Sequence, residues 1–177
     1  MKVIKMPEIS VFQAQEYRDQ HLNFPVLAEG YQQWFGDGYY FWEDIDFAHW
    51  WGEEKKISQK NRISRYCIYE AKLEFSSEEV IDTVFNEEDY RQFINVVEKF
   101  AGKFSEAYGK RPSLFEFNEF ISDNNIWSDI CVIRFQDLPG TNKVLSVSGF
   151  PYKKRIQLRV NDPNRISYFV HVFNSDE

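Results

Sequence analysis

The chain has 177 residues and a net charge of −7, and 18% of its residues are aromatic. This length predicts one domain, residues 1–177, with a sizeable core built largely from aromatic side chains. The acidic charge argues against a general nucleic-acid-binding protein, which normally has a basic face. No apolar run approaches membrane-spanning length and no signal sequence is recognisable, so we expect a cytoplasmic protein without a membrane partner.

Both cysteines, Cys67 and Cys131, lie in apolar segments typical of strands. This placement predicts buried, reduced thiols of an intracellular protein rather than a disulfide framework. Asp46 and His49 have the spacing of two ligands on one helical face, but two ligands do not make a zinc site. No metal site is predicted, because the histidines share no metal-ligand spacing: they are His21, His49 and His171.

The first part of the chain predicts short elements around a segment rich in aromatic residues. Between Gly36 and Gly52, two glycines bracket an aspartate and four successive aromatic residues follow. Glycines let a backbone approach a ligand closely, and adjacent aromatic rings offer flat stacking surfaces. The segment is therefore either the floor of a cleft or a Trp-rich corner of the core. The predicted elements are a strand at 9–14, a helical turn at 16–21, a strand at 39–42, a helix at 45–51 and an exposed loop at 53–62.

The middle of the chain changes from strand to helix periodicity. Residues 65–75 alternate with the period of a strand. From 89 to 108, apolar residues recur at three- and four-residue steps, which predicts an amphipathic helix. Capping signals predict where helices begin and end: Ser76 with Glu79 for a short helix, Asn86 and Gly109 for the long one, and Ser113 with Glu116 for the last.

The last third predicts strands at 130–135, 143–147, 155–160 and 166–173, separated by turns. Because strands cluster at both ends of the chain around a helical middle, we predict an α+β fold. Its sheet is expected to be mostly antiparallel or to form a split sandwich.

Four segments together resemble the ADP-ribosyltransferase superfamily. The segment Val11-Phe12-Gln13-Ala14 stands where that family has its first strand, and Gly36-Asp37-Gly38-Tyr39-Tyr40-Phe41 resembles its glycine and aromatic element. Residues 66–73 resemble the next strand. Residues 155–166 resemble the late strand with the third signature residue and the turn that follows.

The resemblance implies a diphtheria-toxin-like or PARP-like split antiparallel β-sandwich, in which NAD, the substrate, lies between two facing small sheets. Residues from about 76 to 125 would then be a helical insertion. Carried over by position, Tyr40 would stack on nicotinamide, Gln13 would bind a ribose, and Gln157 would hold the 2′-hydroxyl of the nicotinamide ribose. The NAD-binding residues around them would be Ala14, Gly38, Tyr39, Phe41 and Trp51.

This sequence departs from the family pattern at two of these positions. Gln13 stands where the family has His, and an amide can still bind a ribose hydroxyl. Gln157 stands where the family has Glu and carries no negative charge to stabilise an oxocarbenium-like transition state. Loss of one such electrostatic partner typically costs on the order of 10²–10³ in rate.

Three functions remain open from the sequence. The first is a mono-ADP-ribosyltransferase that modifies an unidentified macromolecule, by analogy with small bacterial toxins and phage-conflict proteins. The second is a catalytically inactive module of the same fold that binds a nucleotide or a protein partner. The third is an unrelated α+β interaction protein whose aromatic residues only form the core.

Two charged groups beside the predicted cleft have alternative interpretations. Glu43 and Asp44 could substitute for the missing carboxylate, or they could cap the following helix. The basic cluster at 153–155 could contact an acidic target or the NAD phosphates, or it could be a solvated loop.

Overall fold

The computed structural model describes residues 7–30, 33–58, 62–137 and 154–176. These residues form seven strands and three α-helices. Among them, no helix has both the length and the apolar character needed to cross a membrane. The strands are β1 Ile9–Glu16, β2 Tyr39–Trp42, β3 Tyr66–Leu73, β4 Val80–Asp82, β5 Val132–Asp137, β6 Arg155–Val160 and β7 Ile166–Asn174, and the helices are α1 Ile45–Ile57, α2 Glu87–Tyr108 and α3 Leu114–Asp123.

The strands are arranged in the order β4-β5-β6-β2-β1-β3-β7. Every neighbouring pair is antiparallel except β4 and β5, which are parallel. The fold is therefore α+β with a mostly antiparallel sheet, as the sequence predicted. The prediction of two separate facing sheets differs from the structure, because hydrogen bonds connect all the described strands into one sheet.

The connection at the centre of this sheet is weak. β1 pairs with β3 from Ile9 to Glu16, along its full length. In contrast, the pairing of β1 with β2 is confined to Phe12 and Trp42. Beyond that pair the main chains of β1 and β2 no longer bond, so the sheet has an opening between its two halves.

Each face of the sheet has its own core. One cluster includes Val11, Phe41 and Leu158, all essentially inaccessible to solvent. On the other face, Trp42 and Ala48 belong to a cluster that joins α1 to the sheet. Because side chains alternate along a strand, Phe41 and Trp42 face opposite cores.

The capping residues of the two later helices are the ones that the sequence predicted. Asn86 accepts hydrogen bonds from the first turn of α2, and Gly109 ends this helix at a φ of 67°. Ser113 and Glu116 form the capping box of α3. Most of the apolar stripe of α2 stays partly exposed; Phe100 is buried and stacks on Phe120 of α3, with 4.6 Å between ring centroids.

Some predicted elements differ from the structure. Residues 76–79 form a turn rather than a helix, because the Glu79 carboxylate accepts from Ser76 N and the chain then enters β4. The proposed insertion at 76–125 therefore contributes a strand to the sheet. Residues 16–21 form no helix, and α1 continues to Ile57 into the predicted loop. The strand predicted at 143–147 lies outside the described residues.

Candidate functional site

A cleft with a volume of about 640 Å³ opens where β1 and β2 separate. Its walls come from β1, β2, α1, the ends of β5 and β6, and the connection between β1 and β2. Aromatic rings and side-chain amides dominate the lining: Trp34, Tyr40, Trp42 and Trp51, with Gln13, Gln15, Gln33 and Gln157. This size lies within the range of small-molecule sites, roughly 300–1,000 Å³.

Gln157 projects into this cleft from the late strand β6. It lies opposite Trp42 in the antiparallel β2–β6 pair, so their side chains share one face of the sheet. Its amide has no hydrogen-bond partner among the described residues. Two donors and an acceptor are therefore available to a bound molecule.

Tyr40 lies on the same face as Gln157 and also borders the cleft. Its hydroxyl donates to Gly36 O at 2.7 Å and accepts from Phe35 N at 3.1 Å. Burial raises the pKa of this hydroxyl above its ordinary value, so the tyrosine stays neutral. The two bonds fix the ring and close the turn before β2. Stacking on the ring is thus the contact that Tyr40 can offer a ligand.

Gln13 has a different environment from the one that a ribose contact would need. Its Oε1 accepts from Val26 N at 3.0 Å, and its Nε2 donates to Val26 O and to Tyr40 O, each at 3.2 Å. Both amide hydrogens are used, and only 5% of the residue is exposed. Gln13 therefore holds the cleft wall together, and one Oε1 lone pair is left for a ligand.

The other predicted NAD-binding residues divide into two groups. Ala14 and Trp51 line the cleft, and Trp51 forms part of its rim with 38% of its surface exposed. Phe41 borders the cleft, but its ring belongs to the core on the opposite face. Gly38 and Tyr39 do not line the cleft.

Gly38 and Tyr39 have structural surroundings of their own. A side chain at Gly38 would meet Nε of Arg159 at 2.7 Å, and this guanidinium donates to Asp37 O. The glycine therefore makes room for Arg159 rather than for a ligand. Tyr39 points to the other face, where its ring contacts Phe24 edge-on with 5.5 Å between centroids.

Asp137 is a lining residue that the sequence analysis did not identify. It is the last residue of β5, opposite Arg155, and the two side chains form an ion pair at 3.0 Å. Burial raises the pKa of the Asp137 carboxyl, while Arg155 opposes this rise. Gln157 on β6 lies opposite Phe135 on β5. Asp137 is two residues beyond Phe135 on the same face, so Asp137 and Gln157 are diagonal neighbours about 7–8 Å apart. The cleft thus contains a carboxylate, but a neighbouring cation already pairs with it.

The acidic pair before α1 and the basic cluster have structural partners. Asp44 caps α1 by accepting from Asp46 N, which is the alternative that the sequence left open. Glu43 pairs with Arg134 at 3.2 Å. Within the basic cluster, Arg155 lies over the Trp50 ring and Lys153 is outside the described residues.

The cleft is suited chemically to a flat, polar molecule. Aromatic rings can stack on a heterocycle, and the free amide of Gln157 can bond to hydroxyl or amide groups. The lining also contains charges of both signs, from Glu16, Lys55 and Asp137.

Compared with family models, with curated proteins and with solved structures, the chain gives no match in any of the three.

Proposed function

We propose that this chain is an NAD-binding protein of the ADP-ribosyltransferase type, with its substrate in the cleft between β1 and β2. One observation carries the proposal: Tyr40 and Gln157, distant in the sequence, line one cleft at the opening in the sheet. In this proposal the two halves of the sheet correspond to the two sheets of the ADP-ribosyltransferase split sandwich.

The fit of NAD rests on the chemistry of the lining. Nicotinamide is planar, and it would stack on the ring of Tyr40, which two hydrogen bonds hold in place. Gln157 would bond to the 2′-hydroxyl of the nicotinamide ribose through its unpartnered amide. Trp51 at the rim would cover the remaining ring surface.

The activity proposed first is transfer of ADP-ribose to a macromolecular acceptor. The bond between the nicotinamide nitrogen and C1′ of the ribose breaks, and nicotinamide leaves with the bonding electrons. An acceptor nucleophile then bonds to C1′ and loses its proton. A nearby negative charge would stabilise the cationic ribose. Asp137, the diagonal neighbour of Gln157 across β5 and β6, contributes a carboxylate to the lining.

A second candidate is a module that binds NAD or another nucleotide without turnover. The observation that favours it is the charge state of the cleft. Gln157 is neutral, and Asp137 is paired with Arg155 at 3.0 Å. Together they offer a developing cation far less stabilisation than an unpaired Glu would.

Titration with NAD tests the proposal and separates the candidates. Three of the five tryptophans, Trp34, Trp42 and Trp51, line the cleft, so bound nicotinamide should quench the intrinsic fluorescence. Quenching with release of free nicotinamide supports the transferase, and quenching alone supports the binding module. No change in fluorescence would leave the unrelated interaction protein as the explanation.

A pair of variants locates the response. Tyr40→Ala removes the stacking surface and should abolish the quenching. Lys99→Ala changes an exposed residue of α2 outside the cleft lining and should leave the quenching unchanged. Equal effects of the two substitutions would contradict the assignment of the cleft as the binding site.

A further inference from the structure

A second group of chemically reactive side chains lies on the opposite half of the sheet. Cys67 is on β3 and His171 is on β7, which pair along the edge of the sheet. His21 comes from the connection between β1 and β2 and approaches both. Each residue has one potential ligand atom, and these atoms lie within 4.8 Å of one another.

Two imidazole nitrogens and a thiolate form a set that favours borderline-soft metal ions. Zn²⁺ binds His nitrogen at about 2.0–2.1 Å and Cys sulfur at about 2.3 Å, most often in tetrahedral geometry. We propose that His21, Cys67 and His171 form a zinc site. A water molecule supplies the fourth ligand.

The three ligand atoms must come closer together to bind one ion. Tetrahedral zinc ligands lie about 3.3–3.6 Å apart, so the three atoms must approach one another by up to roughly 1.5 Å. The His21 and His171 rings are now stacked, with 3.8 Å between centroids and 18° between planes. His21 is exposed, so its ring can rotate toward the ion without disturbing the core.

Asn174 connects two of the ligands and orients them. Its Oδ1 accepts from Cys67 Sγ at 3.1 Å and lies 2.8 Å from Nε2 of His171. In the tautomer in which Nε2–H donates to Asn174, Nδ1 of His171 has the lone pair that a metal requires. The bond from His171 to Asn174, outside the ligand set, is typical of protein metal sites, whereas the bond from Cys67 is lost when zinc replaces the thiol proton.

The location of the site suggests what the metal does. Leu22 N donates to the Tyr69 hydroxyl at 3.1 Å, which already attaches the segment after β1 to β3. Zinc on His21 would strengthen this attachment, because it adds bonds from the same segment to β3 and β7. We therefore infer a stabilising role for the metal, independent of the cleft.

The first measurement uses the full, untagged chain, freed of metal with a chelator. Isothermal titration with Zn²⁺ should give one ion per chain, and bound zinc should raise the thermal midpoint. Cobalt(II) in place of zinc should give the near-ultraviolet charge-transfer absorption of a thiolate ligand. Absence of both binding and this absorption would overturn the proposal.

Matched variants assign the ligands. His21→Ala should weaken zinc binding by more than about tenfold, because it removes a ligand that contributes little to the fold. His49→Ala serves as the control, since His49 contacts Tyr66 and Phe173 and lies outside the cluster. Equal losses in the two variants would mean scattered surface binding and would refute the site.

The cysteine is tested in the same way. Cys67→Ser should remove the cobalt–thiolate absorption, whereas Cys131→Ser should keep it. Cys67 is fully buried, so this variant can also unfold the protein. If it does, the cobalt–thiolate absorption of two other variants decides. Reduced intensity in His21→Ala together with full intensity in Cys131→Ser supports the site, and the reverse contradicts it.

Discussion

The amide of Gln13 donates to the carbonyl oxygen of Tyr40 at 3.2 Å, beyond the point where the main chains of β1 and β2 stop pairing. The same side chain makes two bonds with the backbone of Val26. A side chain thus replaces the missing ladder bonds and sets the width of the cleft.

Gln13→Ala is expected to destabilise the fold. It would leave the Val26 N–H and two carbonyl oxygens without their partner, and unsatisfied buried groups cost about 1–3 kcal/mol. Chemical denaturation measures this change in the free energy of unfolding. Gln15→Ala on the same strand is the control, because Gln15 has no side-chain hydrogen bond to a described residue; a similar loss there would contradict the role of Gln13.

Two helical glycines should respond to alanine in opposite directions. At Gly52 a Cβ would lie 2.5 Å from the Tyr66 ring, whereas at Gly102 a Cβ would meet nothing within 4 Å apart from the surrounding helix backbone. Gly52→Ala should therefore lower the free energy of unfolding by roughly 1–3 kcal/mol through overpacking. Gly102→Ala should raise it by about 0.5–1 kcal/mol, because alanine favours the helix. Changes of the same sign would contradict the packing of α1 on β3.

A buried ion pair supports the edge of the sheet at β4. Arg134 bonds to Asp82 at 2.6 Å, and both side chains are almost inaccessible. Arg134→Met should cost about 3–5 kcal/mol, because it leaves a buried carboxylate without its cation. The exposed pair of Arg91 and Glu87 provides the comparison: Arg91→Met should change stability by about 0.5 kcal/mol or less. Equal costs in thermal or denaturant unfolding would refute this difference.

Tyr66 should make the fold sensitive to alkaline pH. Burial, together with a hydrogen bond to Glu53 and its charge, raises the pKa of this hydroxyl to about 12. In the unfolded chain the group ionises near pH 10, so the unfolded state loses its proton first. The contribution of the neutral Tyr66 hydroxyl to the free energy of unfolding is constant below pH 10 and is lost as the pH rises toward 12.

Spectrophotometric titration of tyrosinate checks this expectation. Tyr66→Phe should remove one late-titrating tyrosine, and its free energy of unfolding should fall less steeply between pH 10 and 12. Identical titration curves for the two proteins would show that another tyrosine is responsible.

Local patterns in the sequence were sufficient for the ends of α2 and for the shared face of the site. Asn86 and Gly109 bracket α2 because capping depends on a few neighbouring residues. The alternation within 155–160 places Gln157 and Arg159 on one face, and β6 spans these residues in the structure. Each of these features depends on residues that are close together in the sequence.

The remaining features depend on contacts between distant segments. The turn at Ser76 and Glu79 has the spacing of a capping box, but pairing of β4 with β5 takes the chain into the sheet instead. The β3–β7 register brings Cys67 near His171, and His21 joins them from the connection between β1 and β2; no local spacing encodes this arrangement. The bonds of Gln13 likewise arise from the opening between β1 and β2.

Calorimetric titration of NAD into the unmodified protein and its Gln157→Ala variant tests the central claim most directly. Gln157 has no partner among the described residues, so the substitution removes a ligand contact at little cost to the fold. We predict saturable binding to the unmodified protein and an affinity at least about tenfold lower in the variant, a loss of about 1.4 kcal/mol. Absence of binding, or the same affinity in both proteins, would contradict a nucleotide site between Tyr40 and Gln157.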